Sequence, residues 1–128
     1  MDSGMFLPVQ LAAAMALGLG KDWYEQVNKV YSERREKVFE LLNLLNCKFS
    51  KEQAGLFVWA RVPSKYKDGY ELSDDVLYNS NVFITPGAIF GSAGEKYIRV
   101  SLCATVEKLT EAIGRALPSP SKGGVLEA

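Results

Sequence analysis

Hydrophobic and polar positions follow two helical patterns in the first third of the chain. The segment Pro8–Leu19 is apolar on every side and rich in alanine, which predicts a helix that ends at Gly20. From Trp23 to Leu45, apolar residues recur at steps of three, four and seven, which predicts a long amphipathic helix capped by Asp22. A helix that is apolar all round needs cover on every side. We therefore expect the first helix to pack against a surface that this chain does not provide.

A run of charged residues, Glu33–Lys37, lies within the second helical pattern. Charged residues on the polar side of an amphipathic helix are usually solvated. We expect this run to face solvent, with pairs at i,i+4 such as Glu33 with Lys37.

The pattern changes after Asn46 to short β-branched and aromatic segments separated by glycine and proline. It predicts strands over 56–62, 82–85 and 97–102, a short helix over 73–79 capped by Ser73, and a closing helix capped by Thr105. Pro86 and Gly87 should interrupt the second strand. Alternation predicts two faces for the third strand. Its core-facing residues are Ile98, Val100 and Leu102, and Tyr97, Arg99 and Ser101 point to the other side.

These elements predict an α+β fold. We expect a small antiparallel or mixed sheet of about three to four strands with helices on one face, preceded by the apolar helix and the long amphipathic helix. The expected organisation is the apolar helix at 1–20, a small domain at 21–117 and a flexible tail at 118–128. The regular β-α alternation of a doubly wound nucleotide-binding domain does not occur in the sequence.

Composition narrows the possible chemistry. The 128 residues include 15 Lys+Arg, 15 Asp+Glu and no His, for a formal net charge of zero. A neutral chain without a basic stripe argues against nucleic-acid binding, and the lack of His excludes His-dependent triads and most zinc sites. We expect no metal site. Cys47 and Cys103 are too far apart for a C-x-x-C motif, and we interpret both as reduced, buried thiols.

The apolar opening segment resembles a signal peptide only superficially. Asp2 stands where basic residues would be expected, and the apolar stretch is too short to span a bilayer. We expect no membrane association and a cytoplasmic protein.

Arg99 is the strongest candidate for binding chemistry. An arginine in mid-strand beside a glycine-rich loop can clamp an anion, because its planar fork of donors fits a carboxylate. The alternative is an arginine on the solvated face of a sheet.

In the loop 85–94, glycines at 87, 91 and 94 fit neither the G-x-G-x-x-G fingerprint nor a P-loop. By composition the loop is a pair of tight turns that need positive φ.

The ordered set of segments resembles a known family. Five segments are similar, in the order in which they occur, to the C-terminal part of class I/II pyridoxal-phosphate aminotransferases of fold type I. They are SGMFLPVQLAAAMAL, the helix carrying YSERR, QAGLFVWARVP, VFITPGAIFGSAGEKYIRVSLC and LTEAIGRAL. The resemblance runs from about Asp2 to Leu117. Its most specific part is PG-x-x-FG-x-x-G-x-x-Y-I-R-x-S.

The resemblance implies roles for particular residues. Arg99 matches the arginine that binds the substrate α-carboxylate, and Gly55 matches the glycine where the chain passes the substrate pocket. The turn before the arginine strand would be shaped by Pro86, Gly87, Phe90 and Gly91. The segment near the dimer interface and the partner's active site would comprise Ser3, Gly4, Met5 and Phe6.

The resemblance also implies what lies elsewhere. The Schiff-base lysine, the aspartate that pairs with the pyridine nitrogen and the phosphate-binding groups would precede Met1, so we expect the small domain of a larger, homodimeric enzyme. The parent would use pyridoxal 5'-phosphate with amino-acid and 2-oxo-acid substrates, while this chain alone would be inactive and without cofactor. The alternatives are a stand-alone binding or dimerisation domain, and a parent that is a C–S lyase or a decarboxylase.

Overall fold

The computed structural model describes residues 4–116 of the chain. The described chain divides into two compact units, with the boundary between Val30 and Tyr31. The proposed tail at 118–128 lies outside the described residues. The helices are α1 (Leu7–Leu17), α2 (Lys21–Leu44), α3 (Gly69–Ser80) and α4 (Val106–Ala116). The strands are β1 (Phe57–Arg61), β2 (Thr85–Pro86) and β3 (Tyr97–Ser101), and two 3₁₀ helices, Gly87–Phe90 and Ser92–Gly94, lie between β2 and β3.

The first unit contains α1 and the first residues of α2. No residue of α1 is buried, and Pro8 lies in its first turn, where a missing N–H costs nothing. The helix ends at Leu17, earlier than predicted, with Gly18 as its C-cap, and the Gly18 amide donates to the Ala14 and Met15 carbonyls. Asp22 lies inside the first turn of α2 and is not its N-cap, as α2 begins at Lys21. No helix within residues 4–116 is long and apolar enough to cross a membrane.

The second unit is built on an antiparallel sheet in the order β1-β3-β2. The central strand β3 places Arg99 opposite both Trp59 of β1 and Thr85 of β2. One face of the sheet is buried, through Val58 and Ala60 of β1 and Ile98 and Val100 of β3. The alternation predicted for β3 is confirmed, with Leu102 also buried.

Helices cover the buried face of the sheet. The core cluster takes Val38, Leu41 and Leu42 from the second half of α2. It also takes Leu72 and Val76 from α3, and Leu109 from α4. The predicted α+β architecture, a small antiparallel sheet with helices on one face, is confirmed.

The start of α3 differs from the prediction. Asp68 is the N-cap, and its carboxylate accepts a hydrogen bond of 3.0 Å from the Glu71 amide. Ser73, the predicted cap, is buried within the helix, and its hydroxyl has no hydrogen-bond partner among residues 4–116. An acidic residue followed three positions later by Glu is a known helix-start pattern, so the sequence held this signal.

Two further expectations fail. The second strand was predicted over 82–85, but β2 covers only Thr85–Pro86 and residues 82–84 are not in a strand. Strand β2 includes Pro86, which was expected to interrupt it; β2 lies at the edge of the sheet, where a residue without an N–H is tolerated. Both cysteines are free, but only Cys47 is buried. Cys103 is exposed in the turn after β3, where its amide donates to the Ser101 hydroxyl at 3.2 Å.

Candidate functional site

Arg99 lies on the sheet face opposite the core. Its side chain is half-buried, and the guanidinium carbon lies 4.0 Å from the ring centroid of Phe57 and 3.8 Å from that of Phe90. Phe57 comes from β1 and Phe90 from the first 3₁₀ helix, so two separate elements hold the group. Among the described residues, no acidic side chain forms an ion pair with Arg99.

This environment suits the binding of a carboxylate. The guanidinium carbon lies within 4.0 Å of both ring centroids, and a guanidinium carries its five N–H donors in its own plane. Since no acidic side chain within residues 4–116 pairs with Arg99, its planar fork is available for two parallel hydrogen bonds to a carboxylate. Both rings remain partly open to solvent, with Phe57 38% and Phe90 48% exposed, so a carboxylate can reach the guanidinium from solution.

The glycine-rich turn brings Phe90 to Arg99. The Phe90 ring also packs edge-on against Trp59, with centroids 5.6 Å apart. A Cβ on Gly87 would lie 2.8 Å from the Tyr97 carbonyl oxygen and 2.9 Å from the Trp59 ring, so only glycine fits there. Of the glycines at 87, 91 and 94, only Gly91 has positive φ, at 123°. The predicted need for positive φ therefore holds for Gly91, while Gly87 and Gly94 are needed for close backbone approach.

A shallow groove of about 490 Å³ adjoins the Phe90 ring on this face. It is lined by Trp59, Phe90, Ala93, Gly94 and Tyr97. This lining, all from described residues, contains no lysine and no carboxylate. The groove can therefore receive an apolar or aromatic group, but it offers no amine to a carbonyl cofactor and no acid to a pyridine nitrogen.

Gly55 lies just before β1, with a φ of 83° that favours glycine. Its carbonyl accepts a hydrogen bond of 2.7 Å from Arg35 on α2, and the Gln53 carbonyl accepts one of 2.5 Å from the same guanidinium. The Gly55 loop therefore joins α2 to the strand that carries Phe57. Gly55 thus lies two residues from a ring that contacts Arg99, but the structure gives no direct contact between Gly55 and Arg99.

The sequence analysis placed Arg34 and Arg35 in a run expected to face solvent and gave neither of them a binding partner. Arg35 instead binds the Gln53 and Gly55 carbonyls. Arg34 donates to the Leu102 carbonyl at 3.1 Å and lies over the ring of Tyr31. Both arginines are half-buried, so the prediction that the whole charged run faces solvent is wrong. Their spacing indicates this partial burial, because both arginines lie three or four positions from Tyr31 and from Val38, beside the apolar stripe of the helix. Lys37 pairs with Glu40 at 2.9 Å, not with Glu33.

The predicted N-terminal site residues belong to the first unit. Gly4, Met5 and Phe6 are exposed, while Ser3 lies outside the described residues. The Met5 carbonyl accepts a hydrogen bond from Gln10, which fixes the chain at the start of α1. Their assignment to a dimer interface stays a prediction.

Comparison with known proteins identifies relatives along nearly the whole chain. Residues 2–115 match the family model described as aminotransferase class I and II. The LL-diaminopimelate aminotransferase of Maridesulfovibrio salexigens is 39% identical over 114 residues, which cover 89% of this chain and 29% of that protein. The enzyme of the same name from Oleidesulfovibrio alaskensis is 42% identical over 118 residues, covering 90% and 29%.

Solved structures of similar proteins share the fold of this chain. The apo structure of BacF from Bacillus subtilis superposes with a TM-score of 0.74 at 34% identity, over 88% of this chain and 29% of that one. The aromatic aminotransferase of Pyrococcus horikoshii gives 0.73 at 33% identity, over 84% and 29%. The chain thus spans about 29% of the length of these relatives.

Proposed function

We propose that this chain, which belongs to the class I and II aminotransferases, forms the substrate-carboxylate-binding part of a longer pyridoxal-phosphate-dependent enzyme. That enzyme would transfer an amino group between an amino acid and a 2-oxo acid. The observation that carries the proposal is the guanidinium of Arg99, which contacts two aromatic rings and has no acidic partner among residues 4–116. An amino acid and its 2-oxo acid share one feature that such a group recognises, the α-carboxylate.

Arg99 would bind and orient the substrate in this reaction. Two parallel N–H donors hold a carboxylate in one plane, which fixes the orientation of the adjacent α-carbon. Because the amino acid and the 2-oxo acid present the same carboxylate, one arginine can serve both halves of the transfer. Pyridoxal phosphate, when bound, supplies the electron sink for the chemistry at the α-carbon.

The cofactor-holding groups are assigned to the remainder of the longer protein. The residues lining the groove beside Phe90 include neither a lysine nor a carboxylate, so they do not fit pyridoxal phosphate. We expect the 128-residue chain alone to be inactive. When it is titrated with pyridoxal phosphate and treated with borohydride, no single lysine should be labelled in a saturable way; such labelling would contradict this assignment.

We further propose that the longer protein is a homodimer and works in the cytoplasm. Two free cysteines are typical of a reducing compartment. The exposed segment with Gly4, Met5 and Phe6 is the part of this chain that we assign to the neighbourhood of the subunit interface.

The central test uses the full-length protein that contains this sequence. Amino acids, with diaminopimelate first because relatives carry that name, are assayed against a panel of 2-oxo acids. Arg99→Lys should lower kcat/KM for both substrates by at least about tenfold, because one hydrogen bond to a charged group contributes about 1.5–3 kcal/mol. The absorbance of the bound cofactor should stay unchanged.

The matched control is Arg61→Lys, since Arg61 is an exposed arginine on the neighbouring strand β1. It should leave kcat/KM within about twofold, as surface substitutions usually do. Unchanged kcat/KM in Arg99→Lys would refute the carboxylate role. Release of sulfide or carbon dioxide without amino transfer would instead identify a lyase or a decarboxylase.

A further inference from the structure

One arginine of α2 holds the loop that leads into β1. Arg35 donates from Nη1 to the Gln53 carbonyl at 2.5 Å and from Nη2 to the Gly55 carbonyl at 2.7 Å. The two carbonyls flank Ala54, so one planar guanidinium holds both ends of a three-residue turn. A lysine could not reproduce this contact, because its ammonium is a single point of charge on a flexible stem.

The same loop is attached to β1 from its other side. The Gln53 side-chain oxygen accepts a hydrogen bond from the Trp59 amide at 2.8 Å, and its NH₂ group donates to the Trp59 carbonyl at 2.9 Å. The NH₂ group also donates to the Ser50 carbonyl at 2.9 Å. Gln53 and Arg35 together therefore fix the path of the chain at Gly55.

The Gly55 loop leads into β1, which carries one of the rings that contact Arg99. Leu56, the next residue, accepts a hydrogen bond of 2.9 Å from the Leu102 amide. Phe57 then pairs with Ser101 in the sheet, and its ring lies 4.0 Å from the Arg99 guanidinium. A shift of the Gly55 loop would therefore move Phe57, one of the two rings that hold Arg99.

We propose that Arg35 is a positioning residue for the carboxylate site. By holding the Gln53 and Gly55 carbonyls it fixes the start of β1, and through Phe57 it fixes the direction of the Arg99 donor fork. This inference rests on the proposed role of Arg99 and adds a residue that the family resemblance did not bring to this site. Positioning matters here because a bidentate contact tolerates little displacement.

Arg34 provides a matched control. It lies on the same helix, is half-buried like Arg35, and also donates to a backbone carbonyl, that of Leu102 at 3.1 Å. It makes no hydrogen bond to the residues 53–55. Replacement of either arginine by lysine removes one guanidinium from α2, but only Arg35→Lys releases the loop.

The experiment compares Arg35→Lys, Arg34→Lys, Arg99→Lys and the Arg35→Lys/Arg99→Lys double variant of the full-length protein. Substrates are an amino acid and the corresponding primary amine that lacks the carboxylate. Arg35→Lys should raise KM for the amino acid and the 2-oxo acid by about tenfold with kcat within about twofold, the pattern of lost uniform binding. Its reaction with the amine should be unchanged, and Arg34→Lys should resemble the unmodified protein in all of these measurements.

The double variant tests whether the two arginines act on one contact. If Arg35 works through Arg99, Arg35→Lys should raise KM by less than about twofold in the Arg99→Lys background, because the bidentate contact is already lost. A full additional tenfold increase there would overturn the inference. So would an equal slowing of the amino acid and the amine, which would indicate a general loss of structure.

Failure of this inference can be separated from failure of the proposed function. If Arg99→Lys has no effect, the carboxylate site itself is wrong. If Arg99→Lys weakens binding but Arg35→Lys behaves like Arg34→Lys, only the positioning role is wrong. Should Arg35→Lys fail to fold, Gln53→Met releases the same loop and leaves α2 intact; it should give the same carboxylate-specific rise in KM, and an unchanged KM would overturn the inference.

Discussion

The guanidinium carbon of Arg99 lies 3.8 Å from the ring centroid of Phe90, although the two residues belong to different elements. The turn through Gly87 and Gly94 folds the first 3₁₀ helix back over β3, so Phe90 reaches the sheet face that carries Arg99. The same ring packs against Trp59. Phe90 thus belongs to the group of side chains that holds Arg99, in addition to shaping the turn as the family resemblance implies.

Removing this ring should weaken substrate binding without abolishing it. Phe90→Leu keeps apolar bulk but loses the cation–π contact, which contributes about 0.5–2 kcal/mol depending on solvation. In the full-length protein we expect KM for amino acid and 2-oxo acid to rise, by at most about thirtyfold, because Arg99 is no longer held in one orientation. Steady-state kinetics measure this, with Tyr78→Leu as control because Tyr78 is an exposed aromatic residue of α3. Equal KM values in the two variants would contradict the prediction.

The 128-residue chain, studied by itself, should self-associate through its N-terminal segment. Met15 and Leu17 of α1 are 75% and 85% exposed, and α1 has no polar side. Exposed apolar patches of this kind drive association in water. Sedimentation velocity at rising concentration should show oligomers, and Leu11→Lys with Met15→Lys should reduce them.

Tyr78→Lys is the control for that association, because it adds a charge at an exposed residue outside α1. It should leave the oligomers in place. If the unmodified chain were a compact monomer at every concentration, the prediction of self-association would be wrong.

The central strand and its buried face could be predicted from the sequence because they depend on a local pattern. In β3 the apolar residues Ile98 and Val100 alternate with Tyr97 and Arg99, and a period of two assigns each side chain to a face. The same alternation assigns Arg99 to the face opposite the core.

Contacts between distant segments could not be predicted in the same way. Arg35 binds carbonyls of a loop that has no helical or strand pattern, so its partner was not visible in the sequence. Gly87 is required because the Tyr97 carbonyl of β3 and the Trp59 ring of β1 approach it, and both belong to other elements. Cys103 was expected in the core from its residue type, whereas a turn after β3 leaves it exposed.

The two cysteines should react very differently. Burial raises the pKa of the Cys47 thiol to about 11, whereas Cys103 is exposed. Since the thiolate is the nucleophile, a thiol reagent at pH 8 should modify Cys103 quickly and Cys47 only after unfolding. Cys103→Ser should therefore abolish rapid labelling of the native protein. Rapid labelling that persists in this variant would contradict the burial of Cys47.

The raised pKa of Cys47 makes the free energy of unfolding depend on pH. The folded state holds this proton more strongly than the unfolded state, whose thiol titrates near the ordinary value of 9.0. The contribution of Cys47 is therefore fully present below pH 9 and decreases as the pH rises toward 11. The free energy of unfolding, measured with urea, should fall between pH 8 and pH 10. This fall should be smaller in Cys47→Ala than in the unmodified protein.

Two glycine-to-alanine substitutions should have opposite effects on stability. On Gly87 a Cβ would lie 2.5 Å from the Gly94 carbonyl oxygen and 2.8 Å from the Tyr97 carbonyl oxygen, and these backbone atoms cannot move without disrupting the turn and β3. Gly87→Ala should therefore lower the free energy of unfolding by about 1–3 kcal/mol, the usual cost of overpacking. On Gly114 of α4 a Cβ would meet nothing within 4 Å, and alanine is the better helix former there. Gly114→Ala should raise the free energy of unfolding by about 0.5–1 kcal/mol.

Urea unfolding of the full-length protein measures both changes, and substrate kinetics separate their consequences. Gly87 begins the 3₁₀ helix that carries Phe90, so Gly87→Ala should also raise KM for the amino acid, because the ring that contacts Arg99 is displaced. Gly114→Ala should leave KM unchanged, since α4 packs on the opposite, buried face of the sheet through Leu109. If Gly87→Ala lost stability with no change in KM, the turn would stabilise the fold without determining where Phe90 holds Arg99.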